Sequence, residues 1–371
     1  MSSPLSASNR ARDNTLKTRP KRIEEPRIED PPINATGKAH ATAAGTTDLL
    51  PPSWQTAVQN AVRDVAELAR LLDLPEAALG AAGSSDFPLL VPRGFVGRMR
   101  KGDPSDPLLL QVLPRLAELR EVAGFVADPV REQGLAAGGV IEKYPGRALL
   151  IASGACPIHC RYCFRREFPY AEQLAARGGW DEAVETLRAR PGTREAILSG
   201  GDPLSLSNRR LGELVAKLES TSIETLRIHT RYPVVVPERV DDGLLRLLAA
   251  TRLNTTVVVH CNHPNELDDS TAAALRGLRP RVSALLNQSV LLRGVNDSAD
   301  TLATLSTRLF ACGVLPYYLH LLDPVAGAAH FDVAAHTGLE LVAQLRTRLP
   351  GYLVPRLVKE TPGGLSKTLI G

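Results

Sequence analysis

Three cysteines fall within eight residues in the segment Cys156-Pro-Ile-His-Cys160-Arg-Tyr-Cys163, a C-x3-C-x2-C spacing. Such spacing lets one loop offer three thiolates to a cubane iron–sulfur cluster while one iron stays open to a small molecule. The competing reading is a structural zinc site, which calls for paired C-x2-C elements; neither Cys261 nor Cys312 forms a second pair. Five cysteines, three of them clustered, do not make the disulfide framework of a secreted domain. Metal or redox chemistry on Cys156, Cys160 and Cys163 is the expectation.

Other polar clusters each follow an apolar run: Gly200-Gly201-Asp202, His229-Thr230-Arg231, His260 to Glu266, and Asp323. Lys367 lies beyond a flexible Pro362-Gly363-Gly364 approach. Taken singly these are bland. Gly-Gly-Asp is an ordinary turn, a histidine after a strand is usually a satisfied polar residue, and Lys367 reads as a solvated side chain near a chain end. Their shared position after apolar runs is what marks them.

The elements that would position them follow from periodicity. Short apolar runs at 149–152, 196–199, 226–229, 255–261, 282–290, 316–322 and 352–358 predict strands, and helical stretches lie between them. Alternation of this kind predicts a parallel sheet in an incomplete (β/α) barrel, whose catalytic face lies at the C-terminal ends of the strands. Before it, Trp54, Val58, Ala61, Val62, Val65, Leu68, Leu71 and Leu72 follow a helical spacing. The expected organisation is a disordered tail over 1–46, a helical N-terminal region over 47–145, the barrel over 146–350 and a C-terminal segment over 351–371. The tail mixes Pro, Arg, Glu, Ser and Thr without an apolar period.

The apolar fraction of 44% suits a globular enzyme. The net charge of +4 is mostly a property of the tail, where eight Lys or Arg face five Asp or Glu. The nearly neutral body has no basic stripe interleaved with aromatics, so direct nucleic-acid binding is not expected. No apolar run approaches the roughly 18 residues of a membrane span, and no signal-like stretch opens the chain; a cytoplasmic protein is expected.

Together these motifs resemble a known family. C-x3-C-x2-C with Tyr162 before the last cysteine is the signature of radical S-adenosylmethionine enzymes. Cys163-Phe-Arg165-Arg166, Leu198-Ser-Gly200-Gly201-Asp202, His260-Cys-Asn262-His263-Pro264-Asn265-Glu266, Asn287-Gln288-Ser-Val-Leu-Leu-Arg293-Gly294-Val-Asn296-Asp297 and Pro362-Gly363-Gly364-Leu-Ser-Lys367 resemble the lysine 2,3-aminomutase family. The likeness runs from about residue 87 onward. The segment His320 to Phe331, and a chain ending soon after Lys367, resemble the branch that serves β-lysylation of elongation factor P.

The resemblance implies a (β/α)6-type radical barrel with three cofactors: a 4Fe-4S cluster, S-adenosylmethionine and pyridoxal 5'-phosphate. It places Tyr162, Gly200, Gly201, Asp202, His260 and Gln288 around S-adenosylmethionine. Lys367 matches the lysine that binds pyridoxal phosphate covalently; Lys143 and Tyr144 match contacts to that cofactor, as does His320, where free-standing relatives commonly have Tyr. Arg165 matches the arginine for the substrate α-carboxylate, which a guanidinium can hold bidentately. Asp323 and Glu360 match two acidic positions for the distant ammonium. The implied reaction converts free L-lysine to (R)-β-lysine, with functional links to elongation factor P, its lysyl ligase and a reductant protein. The alternatives are an aminomutase for another amino acid, or a non-catalytic iron–sulfur protein of the modification machinery.

Overall fold

The computed structural model describes residues 53–75, 87–132, 139–170 and 180–371. The expected tail over 1–46 lies outside the described residues. Nine strands form one sheet in chain order, β1 to β9. From β2 (Arg147–Ser153) through β3 (Glu195–Gly200), β4 (Thr225–Thr230), β5 (Asn254–Val259), β6 (Ala284–Val290) and β7 (Leu315–His320) to β8 (Arg356–Lys359), every neighbouring pair is parallel. Parallel neighbours need crossovers. Helices Asp181–Arg188, Asn208–Glu219, Asp242–Ala250, Asp269–Leu278, Ala299–Ala311 and Ala335–Arg348 supply them. The order never reverses, as expected of an incomplete (β/α)6 barrel and not of a doubly wound sheet. All seven expected strands are present.

Local chemistry explains the elements. Ser207, Asp241, Asp268 and Ser298 each accept a backbone N–H in the first turn of the helix they precede, satisfying donors that would otherwise be orphaned. In β4, Leu226 and Ile228 are buried while Arg227 and His229 alternate to the other face; in β6, Leu285, Asn287 and Ser289 alternate with Gln288 and Val290. Arg227, His229, Gln288 and Val290 all line one cavity. Alternation by two therefore separates a helix-covered face from a functional one.

Two edge strands had no sequence signal. β1 (Val140–Tyr144) pairs antiparallel with β2, and β9 (Thr368–Leu369) folds back antiparallel on β8. The sheet thus continues past residue 350, so the C-terminal segment is part of it.

The N-terminal region departs from expectation. A single helical run over Trp54–Leu74 is interrupted: helices Trp54–Gln59 and Val65–Leu71 flank a break where Val62 exchanges backbone hydrogen bonds with Val91. Asp64 then caps the second helix by accepting from Glu67 N. The rest of the described stretch has only single helical turns, such as Arg93–Val96 and Pro107–Leu110, before β1. Buried Trp54, Val62, Leu68, Phe95 and Leu109 belong to the same core cluster as Leu198, Leu226 and Val257 of the barrel strands. Leu68→Ala is accordingly expected to cost about 2–5 kcal/mol and to lower the midpoint of the whole urea transition. A separate early transition would show that the N-terminal helices fold on their own.

Candidate active site

A cavity of about 240 Å³ opens at the C-terminal ends of the parallel strands. Each strand sends something into it: the cysteine loop after β2, Gly200, Gly201 and Asp202 at the end of β3, Thr230 and Arg231 after β4, and His260 after β5. β6 adds Gln288, the end of β7 adds His320 and Asp323, and the β8–β9 hairpin adds Glu360 and Lys367. Tyr144, Tyr162 and Arg165 complete the set. Every expected site residue lines this cavity except Lys143, which belongs to β1 and whose side chain lies outside the described residues.

The cysteine loop is held by the N-terminal region. His159 N donates to Leu90 O and Arg161 N to Gln111 O. Arg161 Nε donates to Glu118 Oε1 at 2.8 Å, and Arg166 Nη2 reaches Glu118 Oε2 at 3.0 Å; all three side chains are buried. The three thiols are free. Burial and their mutual charge push the Cys156 and Cys163 thiols upward, Cys163 to about 11. A metal centre is what deprotonates such thiols. Among the described residues, no three His, Cys, Asp or Glu side chains converge as a single-ion site. A cubane takes each cysteine on a different iron, which three cysteines on one loop can supply.

The glycines after β3 are required, for a reason the sequence did not reveal. Gly200 has φ +117, and a Cβ on Gly201 would lie 2.5 Å from Ala155 O. Their close approach is to the cysteine loop itself: Gly201 N and Asp202 N donate to Ser153 O and Ala155 O. The Asp202 carboxylate turns inward, accepting from Leu204 N, Thr230 Oγ1 and Arg231 N. Burial raises its pKa to about 6 despite those donors.

Tyr162 anchors a buried polar network. Its hydroxyl meets His260 Nε2 at 2.9 Å, Asn262 Nδ2 at 2.7 Å and Gln111 Oε1 at 3.2 Å, and its ring stacks on His260. Gln111 Oε1 also accepts from Arg231 Nη2 at 2.7 Å, and Gln111 Nε2 donates to Glu266. Sequence reading missed Gln111, Glu266 and Arg231 as partners; the turn Pro107–Leu110, capped by buried Asp106, is what delivers Gln111.

Arg165 is buried and paired. Its Nε and Nη2 both meet Glu132 Oε2 at 2.8 Å, and Nη1 donates to Ser199 Oγ at 2.8 Å. Glu132 was not anticipated. Across the cavity, the Pro362-Gly363-Gly364 turn returns the chain so that Thr368 pairs with Lys359, setting Lys367 beside Glu360. Lys367 Nζ donates to Glu360 Oε2 at 2.6 Å, and Tyr144 Oη donates to the other carboxylate oxygen. Burial and Glu360 push the Tyr144 hydroxyl pKa upward, keeping it a donor. Arg147 and Arg227, also missed, add cationic charge nearby; both meet Glu195.

A parallel barrel with a three-cysteine loop after its first parallel strand defines a radical S-adenosylmethionine enzyme, and residues 150–298 match the Radical SAM superfamily. The chain is 46% identical over 319 residues to the L-lysine 2,3-aminomutase of Escherichia coli, covering 85% of this chain and 93% of that one. It is 44% identical to the one from Haemophilus influenzae and 34% identical to the one from Clostridium subterminale, each over 85% of this chain and over 95% and 77% of those chains. The chain belongs to the L-lysine 2,3-aminomutase family and is an isomerase of the aminomutase type. Membership implies a 4Fe-4S cluster and S-adenosylmethionine, with pyridoxal phosphate as the family's third cofactor. Among solved structures, a radical SAM methyltransferase from Sphaerobacter thermophilus is similar at 18% identity with a TM-score of 0.43, over 59% of this chain and 68% of that one. Among the described residues no helix is long and apolar enough to cross a membrane.

Burial, then Arg231, lowers the His260 pKa from 6.5 to about 3. As pH falls below 6.5 the unfolded chain takes up this proton first, so the stability this group contributes above pH 6.5 is lost on the way to about 3, by at most about 1.4 kcal/mol per pH unit. His260→Gln is expected to flatten that part of the stability curve in urea titrations at a series of pH values. An unchanged slope would mean that His260 titrates alike in both states.

Proposed function

We propose that the protein is an L-lysine 2,3-aminomutase that makes (R)-β-lysine for the modification of elongation factor P. The observation that carries this reading is a carboxylate already holding an alkylammonium: Glu360, buried in the same cavity as the cysteines, accepts from Lys367 Nζ at 2.6 Å. Such an anion, with Asp323 on the same cavity wall, suits the distant ammonium of lysine.

Arg165 would take the α-carboxylate at the other end. Glu132 Oε2 holds its Nε and Nη2, and Ser199 Oγ and Gly200 O accept from Nη1, which fixes the guanidinium plane and its charge at the cavity wall. Charges of opposite sign at the two ends of the cavity select for length as well as identity. Bound in place, the cluster and S-adenosylmethionine supply a hydrogen-abstracting carbon radical, and pyridoxal phosphate carries the migrating amino group.

The chain's own residues do the remaining work. Cys156, Cys160 and Cys163 hold the cluster; Gly200, Gly201, Asp202, Tyr162, His260 and Gln288 form the wall for S-adenosylmethionine. Lys367 must lose a proton before its nitrogen can bind an aldehyde, and Glu360 Oε2 is placed to take it. Tyr144 and His320, on the same cavity, would attend that cofactor, and Arg147 and Arg227 would offer its phosphate positive charge.

Anaerobic reconstitution of the full chain, followed by incubation with L-lysine, S-adenosylmethionine, pyridoxal phosphate and dithionite, is expected to yield (R)-β-lysine. No product with cluster and both cofactors bound would overturn the reading. Asp323→Asn and Glu360→Gln are each expected to raise KM for lysine at least about tenfold, since a charge-assisted bond of about 1.5–3 kcal/mol is lost. The biological destination is read from the mass of elongation factor P in cells with and without this protein; an unchanged mass would remove it.

A further inference from the structure

One buried side chain touches the cysteine loop without belonging to it. Arg231 sits just after β4 with its backbone N–H fixed by Asp202 Oδ2 at 2.7 Å, so the Gly-Gly-Asp turn sets where its side chain begins. The guanidinium is buried and branches three ways. Its Nη1 donates to Cys160 Sγ at 2.6 Å, while Nη2 donates to Gln111 Oε1 at 2.7 Å and Glu266 Oε2 at 3.1 Å. Glu266 is itself fully buried and held by Asn262 N and His263 N at 2.9 and 3.0 Å. The result is a rigid, oriented charge pair with its positive end on a cysteine sulfur.

A buried Arg–Glu pair is a poor device for stability alone, because desolvating both charges offsets most of their attraction. Its orientation suggests another use. A donor on a cluster sulfur favours the more negative, reduced state of the cluster and so raises its reduction potential. The Glu266 carboxylate, farther from the sulfur, moderates that effect.

We propose that Arg231 is a positioning residue for the iron–sulfur cluster: held by Gln111 and Glu266, it donates to Cys160 Sγ and makes one-electron reduction of the cluster easier. This rests on Cys156, Cys160 and Cys163 being the cluster ligands. Glu266 opposes Arg231 in sign, so the two side chains act on the potential in opposite directions. No other cation takes the place of Arg231 on that sulfur among the hydrogen bonds of the described residues.

The test uses full-length protein, reconstituted anaerobically, with iron content and visible absorption measured first. Three to four irons per chain in the wild type, lost in Cys160→Ala, supports the ligand assignment; its failure there is a failure of that assignment and not of the role of Arg231. The midpoint potential is then read by mediated titration followed by electron paramagnetic resonance. Arg231→Met is expected to make reduction about tenfold less favourable, a potential about 59 mV more negative, and Glu266→Gln is expected to shift it in the positive direction. If Arg231→Met does not take up a cluster, Arg231→Lys carries the measurement; it keeps the charge but not the three-way fork, and a smaller negative shift is expected. Unchanged potentials, or shifts of the same sign in the arginine and glutamate variants, overturn the proposal. Loss of the cluster in both arginine variants with secondary structure intact does so too, assigning Arg231 to holding the loop.

Discussion

The loop from Gly154 to Cys163 has no regular structure of its own, so its backbone and charges must be satisfied from outside. That requirement organises the molecule. Leu90 O and Gln111 O from the N-terminal region accept two of its N–H groups, Glu118 neutralises Arg161 and Arg166, and the turn after β3 packs on its carbonyls. The third contact is why Gly200 and Gly201 have no side chains. A Cβ at either would lie 2.5 Å from a carbonyl oxygen of Ser153 or Ala155.

The same constraint explains the placing of the N-terminal region. Without the N-terminal region Arg161 and Arg166 would lose their buried carboxylate; Glu118, from the first 120 residues, pairs with both, and Gln111 adds an acceptor to Arg231 beside its Glu266 partner. Removing one partner of such a pair costs more than replacing both. The helices before the barrel therefore share the barrel's core and its charge balance. The N-terminal region works as the back wall of the cysteine loop.

Much of this was legible in the sequence. The seven parallel strands announced themselves as apolar runs, and the polar clusters after them marked the functional end. Cys156, Gly200, His260, Asp323 and Lys367 meet in one cavity as their positions after successive apolar runs required, and Gln288 joins them from within β6. Relations between distant residues were not legible. Glu132 lies in a loop with no periodicity, and only folding brings it to Arg165; Gln111, Glu266 and Arg231 are spread over 155 residues and form one network. The break at Val62 has a similar cause. A helical apolar spacing was present, but pairing with Val91 competed with it and won locally. β1 was missed because Val140 and Ile141 give way at once to Glu142 and Lys143 and make no apolar run, and β9 because two residues carry no pattern.

An incomplete barrel leaves its two edges unpaired to each other, and the candidate site lies along that seam. β1 ends one edge and carries Tyr144; β8 and β9 form the other and carry Glu360 and Lys367. The hydrogen bond from Tyr144 Oη to Glu360 thus joins opposite edges of a nine-stranded sheet through side chains, where a closed barrel would use backbone ladders. Side-chain contacts can open without unravelling a strand pair. The cysteine loop, by contrast, is clamped by Leu90, Gln111 and Glu118. The two ends of the cavity are thus held differently, the cysteine loop through backbone and buried charge and the Tyr144–Glu360 seam through side chains alone.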